Sequence, residues 1–167
     1  ADFLLSREVQ FDTIYHEHYS YLSLLAVEGI FAAAGLRVFD VEELSTHGGS
    51  LRVHACKTAA SHPESPAVER IRASERAARL DEAAGYTGFT QKVEAVRDGL
   101  IDFLTSAHHG RKSVAAYGAA AKGNTLLNYC GVGPDLISYC VDRNPAKQNT
   151  LLPGSHIPVL GPEALRD

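Results

Sequence analysis

Apolar residues Leu24, Val27, Ile30, Phe31 and Ala34 recur at helical spacing, with Ser23 placed to cap the first turn and Gly35 to supply a left-handed stop. The spacing predicts a helix between those two residues. The period then drops to two. Leu36-Arg37-Val38-Phe39-Asp40-Val41 and Leu51-Arg52-Val53-His54-Ala55 alternate as two strands, joined by a turn through Thr46-His47-Gly48-Gly49-Ser50. A hairpin with one helix cannot bury enough surface to stand alone, so this segment reads as the closing edge of a sheet begun elsewhere. A Pro/Ser bridge, Ser61-His62-Pro63-Glu64-Ser65-Pro66, leads into a helical middle. There Ser65 and Pro66 form an N-cap and first-position pair for a charged, largely solvated helix reaching Glu82. After Gly85 a second helix sets Phe89, Val93, Val96, Leu100, Phe103 and Leu104 on one stripe for packing against the final region, and Gly110 ends it.

From Ser113 the pattern becomes strand, small-residue turn, helix, strand. Val114–Tyr117 is a buried strand and Gly118-Ala119-Ala120-Ala121-Lys122-Gly123-Asn124-Thr125 the turn; Leu126–Tyr129 continues as helix, and Leu136–Val141 is the next strand, closed by Asp142. The expected fold class is therefore α/β: a Rossmann-like β-α-β unit with a short parallel sheet, preceded by a helical segment and a partial sheet edge.

Composition narrows the function classes. A net charge of -4 and the lack of a Lys/Arg cluster argue against a nucleic-acid surface. No stretch is apolar enough for a membrane span, and the opening Ala1–Arg7 is too short for a secretory signal and carries an acid, so the expected location is cytoplasmic. Cys56, Cys130 and Cys140 never form a C-x-x-C pair, which leaves neither a disulfide framework nor a zinc ribbon and places each thiol in the core.

Chemistry concentrates in Phe11-Asp12-Thr13-Ile14-Tyr15-His16-Glu17-His18-Tyr19, where two imidazoles, a carboxylate and two phenols lie side by side. Histidine exchanges protons near neutrality, a carboxylate can orient it, and a phenol can donate to a developing oxyanion. Two other readings stand beside this one: His16 and His18 as metal ligands, and aromatic packing at a domain edge. The turn from Gly118 has a similar choice. Small residues let backbone approach an anion at a helix N-terminus with Lys122 nearby, yet the same residues make a tight packing turn. Asp142, 24 residues after Gly118, stands where such folds hold ribose hydroxyls, or it starts the turn at Asn144-Pro145. In His47-Gly48-Gly49-Ser50-Leu51-Arg52 the glycines suit a hairpin turn, while Arg52 and backbone N–H groups suit a diphosphate.

Taken in order, Phe11–His18, His47–Arg52, Tyr117–Thr125, Asp142-Arg143-Asn144-Pro145-Ala146-Lys147 and Pro153-Gly154-Ser155-His156-Ile157-Pro158 resemble the S-adenosylmethionine-dependent sugar C-methyltransferases. These act on nucleotide-linked keto-deoxysugars. The resemblance implies a C-terminal portion of such an enzyme. Residues 1–58 would be the last helix and strands of the methyltransferase domain, 59–112 helical packing elements, and 113–167 a truncated Rossmann-like domain. The S-adenosylmethionine site would lie mostly outside this chain, in a missing N-terminal part of the same protein, and no metal is expected.

The resemblance assigns the base to His18, with Tyr15 and Glu17 beside the sugar and His16 structural. It implies substrate contacts from Ser50, Arg52, Gly118, Lys122, Gly123, Asn124 and Asp142. On a flat strand Tyr15 and Glu17 would face away from His18, so the segment must bend for all three to converge. Two rival classes remain: a nucleotide-binding module without catalysis, and a metal-dependent hydrolase using His16 and His18.

Overall fold

The computed structural model describes residues 9–46 and 49–165. It divides into two compact units, one built from residues 19–89 with 9–10, the other from Phe11–His18 with the chain from Thr90 onward. His47 and Gly48 of the expected hairpin turn, the opening Ala1–Arg7, and Arg166-Asp167 lie outside the described residues.

In the first unit, helix α1 (Leu24–Ala33) begins as its sequence predicts, with the Ser23 hydroxyl oxygen accepting from the Ala26 N–H at 3.1 Å. It ends at Gly35, whose φ of +71° is open to glycine at no steric cost. Strands β1 (Leu36–Leu44) and β2 (Ser50–Lys57) pair antiparallel from Leu36 opposite Lys57 to Leu44 opposite Ser50. The pairing steps from Val38–Ala55 directly to Asp40–His54, leaving Phe39 as an extra residue. That bulge shifts the pleat by one, so Val38 and Val41, which strict alternation would place on opposite faces, are both buried.

The bulge also ties down the next helix. The Phe39 carbonyl accepts the Ser65 N–H at 2.8 Å, and the Ser65 hydroxyl donates to Asp40 Oδ1 at 2.5 Å. Ser65 thus sits at the N-cap of helix α2 (Pro66–Ala77) with Pro66 in the first turn, but its side chain serves Asp40 instead of the helix. The Asp40 carboxyl is held below the ordinary carboxylate range by Ser65, then by the Val41 N–H and His54. Helix α2 stops at Ala77 rather than Glu82 because Arg79 turns left-handed (φ +58°) and the Leu80 N–H closes back onto the Glu75 carbonyl at 3.1 Å. A short 3-10 turn, Ala83–Tyr86, follows; a Cβ on Gly85 would lie 2.1 Å from the Arg79 carbonyl oxygen, so only glycine fits there. Leu24, Val38, Val41, Val68 and Ile71 form the core of this unit. One carboxylate is buried with them. Glu75, 1% exposed, accepts the Leu24 and Leu25 N–H groups at 2.8 and 2.9 Å and so closes the open end of α1.

The second unit contains helix α3 (Phe89–His109). Its buried face is set by Leu104 with Leu100 and Ile101 against it. This turns Phe103 and Val96, both expected on the packing stripe, toward solvent at 63% and 41% exposure. The helix ends at His109, directly before the expected stop Gly110; Gly110 donates to the Ser106 carbonyl, and the left-handed residue is Arg111, followed by Lys112 N–H to Ala107 O at 2.9 Å. Then come β3 (Ala115–Tyr117), α4 (Ala121–Cys130), β4 (Tyr139–Val141), β5 (Thr150–Leu151) and β6 (Pro158–Leu160). The strand order is β3-β4-β6-β5, with β3, β4 and β6 parallel and β5 antiparallel to β6. The β-α-β unit is present, in an α/β fold. Leu136 and Ile137, expected in the second strand, instead turn onto Gly133, whose carbonyl accepts both N–H groups at 3.1 Å, while the Ser138 N–H donates to the Val114 carbonyl at 3.0 Å. Leu127, Cys130, Ile137, Cys140, Ile157 and Val159 make the core, and burial pushes the Cys130 and Cys140 thiols up from their ordinary value. Among the described residues no helix is long and apolar enough to cross a membrane.

Candidate functional site

The His/Glu/Tyr segment is not a strand. Phe11–Thr13 forms one 3-10 turn, with the Ile14 N–H on the Phe11 carbonyl at 3.0 Å, and a second turn places the His18 N–H on the Tyr15 carbonyl at 2.9 Å. The bend brings two of the three expected residues together: the Tyr15 and His18 rings lie with centroids 4.2 Å apart at 35°. The side chains of His16 and Glu17 are exposed. His18 Nδ1 lies 3.0 Å from the Thr13 carbonyl oxygen. A carbonyl only accepts, so this hydrogen bond is made by Nδ1–H, the tautomer whose neutral form acts as a base through Nε2. Among the described residues no three His, Cys, Asp or Glu side chains come close enough to hold a metal ion.

The second group lies on the same unit, at the carboxyl end of β3. Gly118, with φ of +94°, donates to the Val141 carbonyl at 2.7 Å and carries the chain into Ala119 and Ala120. Helix α4 starts at Ala121, so Lys122, Gly123 and Asn124 belong to its opening turn rather than to an extended loop. The earlier start lines up N–H groups at the strand edge, as anion-holding helix ends do. The Asn124 amide oxygen is buried without a hydrogen-bond partner, an acceptor that native structures normally satisfy.

Asp142 holds this turn in shape. Its Oδ2 accepts the Ala119 N–H at 2.8 Å, its Oδ1 accepts the Asn144 N–H at 2.8 Å, and Lys147 Nζ stands 3.4 Å from Oδ2 while donating to the Ala119 carbonyl at 2.7 Å. Those two N–H groups, then Lys147, keep the Asp142 carboxyl below the ordinary carboxylate range. Lys147 escaped the sequence reading because nothing in Asn144-Pro145-Ala146-Lys147 shows that its side chain returns to a residue 28 positions earlier. A depressed folded-state pKa stabilises the fold above the unfolded value of about 3.9, and the gain fades as pH falls through the lower folded value. Asp142→Asn is therefore expected to lower the urea midpoint at pH 7, with the gap to the parent protein closing as pH drops below about 4. Urea titrations at a series of pH values measure this directly.

Ser50 and Arg52 belong to the first unit. Arg52 Nη1 pairs with Glu42 Oε2 at 2.9 Å, and His54 Nε2 meets the other oxygen of Glu42 at 2.9 Å, all on the open face of the hairpin. The Ser50 hydroxyl donates to the Thr46 carbonyl at 3.1 Å and borders a hollow of about 250 Å³ with Ser20, Leu24, Val27 and Val53.

These features place the chain among α/β proteins whose strand-to-helix turn opens at the carboxyl end of a parallel sheet. Comparison with known proteins gives the family. The model of the C-methyltransferase C-terminal domain matches residues 45–167, and C-methyltransferase NovU of Streptomyces niveus is 42% identical over 159 residues, covering 95% of this chain. The chain belongs to the C-methyltransferase C-terminal domain family. It spans 38% of the length of the Streptomyces relative.

Proposed function

We propose that this chain is the C-terminal part of an S-adenosylmethionine-dependent C-methyltransferase that acts on a nucleotide-linked keto-deoxysugar. In this reading residues 1–58 complete a methyltransferase domain, 59–112 supply packing helices, and the chain from 113 forms the nucleotide-holding domain. One observation supports the choice of base: the Thr13 carbonyl accepts a hydrogen bond from His18 Nδ1, the tautomer in which Nε2 is the basic nitrogen of the ring. Carbon methylation next to a ketone begins with removal of that weakly acidic proton.

His18 Nε2 accepts the proton from the carbon beside the ketone, and the electron pair moves onto the ketone oxygen as an enolate. The Tyr15 phenol, on a ring packed against His18, donates to that oxygen and lowers the barrier by meeting charge where it develops. Glu17, exposed beside them, faces a sugar hydroxyl. Gly118, Lys122, Gly123 and Asn124 meet the nucleotide part at the start of α4, with Asp142 and Lys147 keeping the turn in register. On the first unit, taken by itself, Ser50 and Arg52 are the residues suited to phosphate oxygens, which Arg52 would take in exchange for Glu42. S-adenosylmethionine would supply an electrophilic methyl group; Asp142, the acid that closes β4, is engaged by the Ala119 and Asn144 N–H groups of the turn, and we place the cofactor site mostly outside this chain.

The nucleotide assignment has its own test. In the full-length protein, Lys122→Ala is expected to raise KM for the nucleotide sugar about tenfold, the scale of one lost charge-assisted contact, and to leave the S-adenosylmethionine dependence unchanged. Unchanged KM for both substrates would make the α4 turn a packing feature.

A further inference from the structure

The segment that carries His18 is anchored on helix α4 at two points that bracket Thr13. On one side the Phe11 ring, 7% exposed, packs against the Tyr129 ring with centroids 4.9 Å apart at 60°, a tilted arrangement that aromatic pairs favour. On the other side the Thr125 hydroxyl is shared between the Ile14 carbonyl at 3.3 Å and the Ala121 carbonyl at 3.2 Å. Thr125 and Tyr129 are four residues apart on one face of the helix, so a single rigid element presents both anchors. Between them sits the Thr13 carbonyl that receives His18 Nδ1–H.

We propose that Tyr129 is a positioning residue for His18, acting through Phe11 and the Thr13 carbonyl, so that α4 carries the nucleotide-side turn at one end and the mounting of the base along its length. The proposal rests on the reading of His18 as the base. Its physical content is a chain of contacts. The Tyr129 ring fixes Phe11, Phe11 opens the 3-10 turn whose last residue is Thr13, and the Thr13 carbonyl selects the ring tautomer and the direction of the Nε2 lone pair. Tyr129 is itself 43% exposed, so its ring adds little to the core of the unit and its loss acts mainly on the turn. A base misplaced by about an ångström loses on the order of a hundredfold in rate even though the substrate still binds.

The test uses the full-length protein with Tyr129→Ala and Tyr129→Phe, steady-state kinetics, and nitrogen-15 NMR of the His18 ring. Tyr129→Ala is expected to lower kcat between about tenfold and a hundredfold with KM for the nucleotide sugar unchanged, and to release His18 from the Nδ1–H tautomer. Tyr129→Phe, which keeps the ring contact, restores both. If the alanine variant does not fold, Tyr129→Leu is read in its place, with the same expectations. The proposal is overturned if the ring-deleted variant keeps the Nδ1–H tautomer, or if its kcat matches that of Tyr129→Phe. Failure of the base reading shows separately: it appears as His18→Ala retaining methyl transfer, while the NMR signal still reports whether Tyr129 holds the turn.

Discussion

His18→Ala in the full-length protein is expected to lower methyl transfer by about two to four orders of magnitude, the usual contribution of a positioned general base, while KM for the nucleotide sugar stays within about twofold. The split follows from where the residue stands. His18 is held by a backbone carbonyl and packed against Tyr15, while the nucleotide-side residues lie at the start of α4. His18→Asn keeps a polar side chain of smaller size without a group that can accept a proton near neutral pH, so it is expected to fall with the alanine variant. A rise in KM with unchanged kcat would move His18 from proton transfer to binding.

The second large effect is on stability. Glu75→Ala removes the acceptor of the Leu24 and Leu25 N–H groups inside the first unit, and both groups are left without a partner at the start of α1. Hydrogen bonds to a charged acceptor are worth about 1.5–3 kcal/mol, and the orphaned donors add to the loss, so the expected cost is about 3 kcal/mol. Glu75→Gln retains one carbonyl-type acceptor but presents an amide N–H to the other donor, and is expected to recover part of that loss. Urea unfolding of the two variants, followed by circular dichroism, gives the ordering parent, glutamine, alanine. Equal midpoints for all three would show that water caps α1 as well as the buried carboxylate does.

Local signals made much of the fold legible. Ser23 and Gly35 bracket α1 because a hydroxyl cap and a left-handed glycine act within a turn of the helix they bound. Period-two alternation found both hairpin strands, and the switch from strand to small residues to helix found the β-α-β unit. What failed depended on partners far along the chain. The bulge at Phe39 is fixed by a core that needs Val38 and Val41 on one side, and no local pattern announces it. Two residues beyond the ends of α2 and α3 the chain turns left-handed at Arg79 and Arg111, arginines where a glycine would be expected. Strands β5 and β6 are two and three residues long and escape any periodicity. In the candidate site, residue types singled out Tyr15 and His18, whose rings the fold brings together. The anchoring by Tyr129 and the locking by Lys147 became visible only with the chain folded.

The most direct measurement of the central claim is solvent-hydrogen exchange at the carbon next to the ketone of the nucleotide sugar, followed by NMR in deuterated buffer with no methyl donor present. It isolates proton removal from methyl transfer. The account predicts that the full-length parent protein washes deuterium into that position and that His18→Ala does so at least about a hundredfold more slowly, while still binding the nucleotide sugar. Exchange at the parent rate in His18→Ala would contradict it.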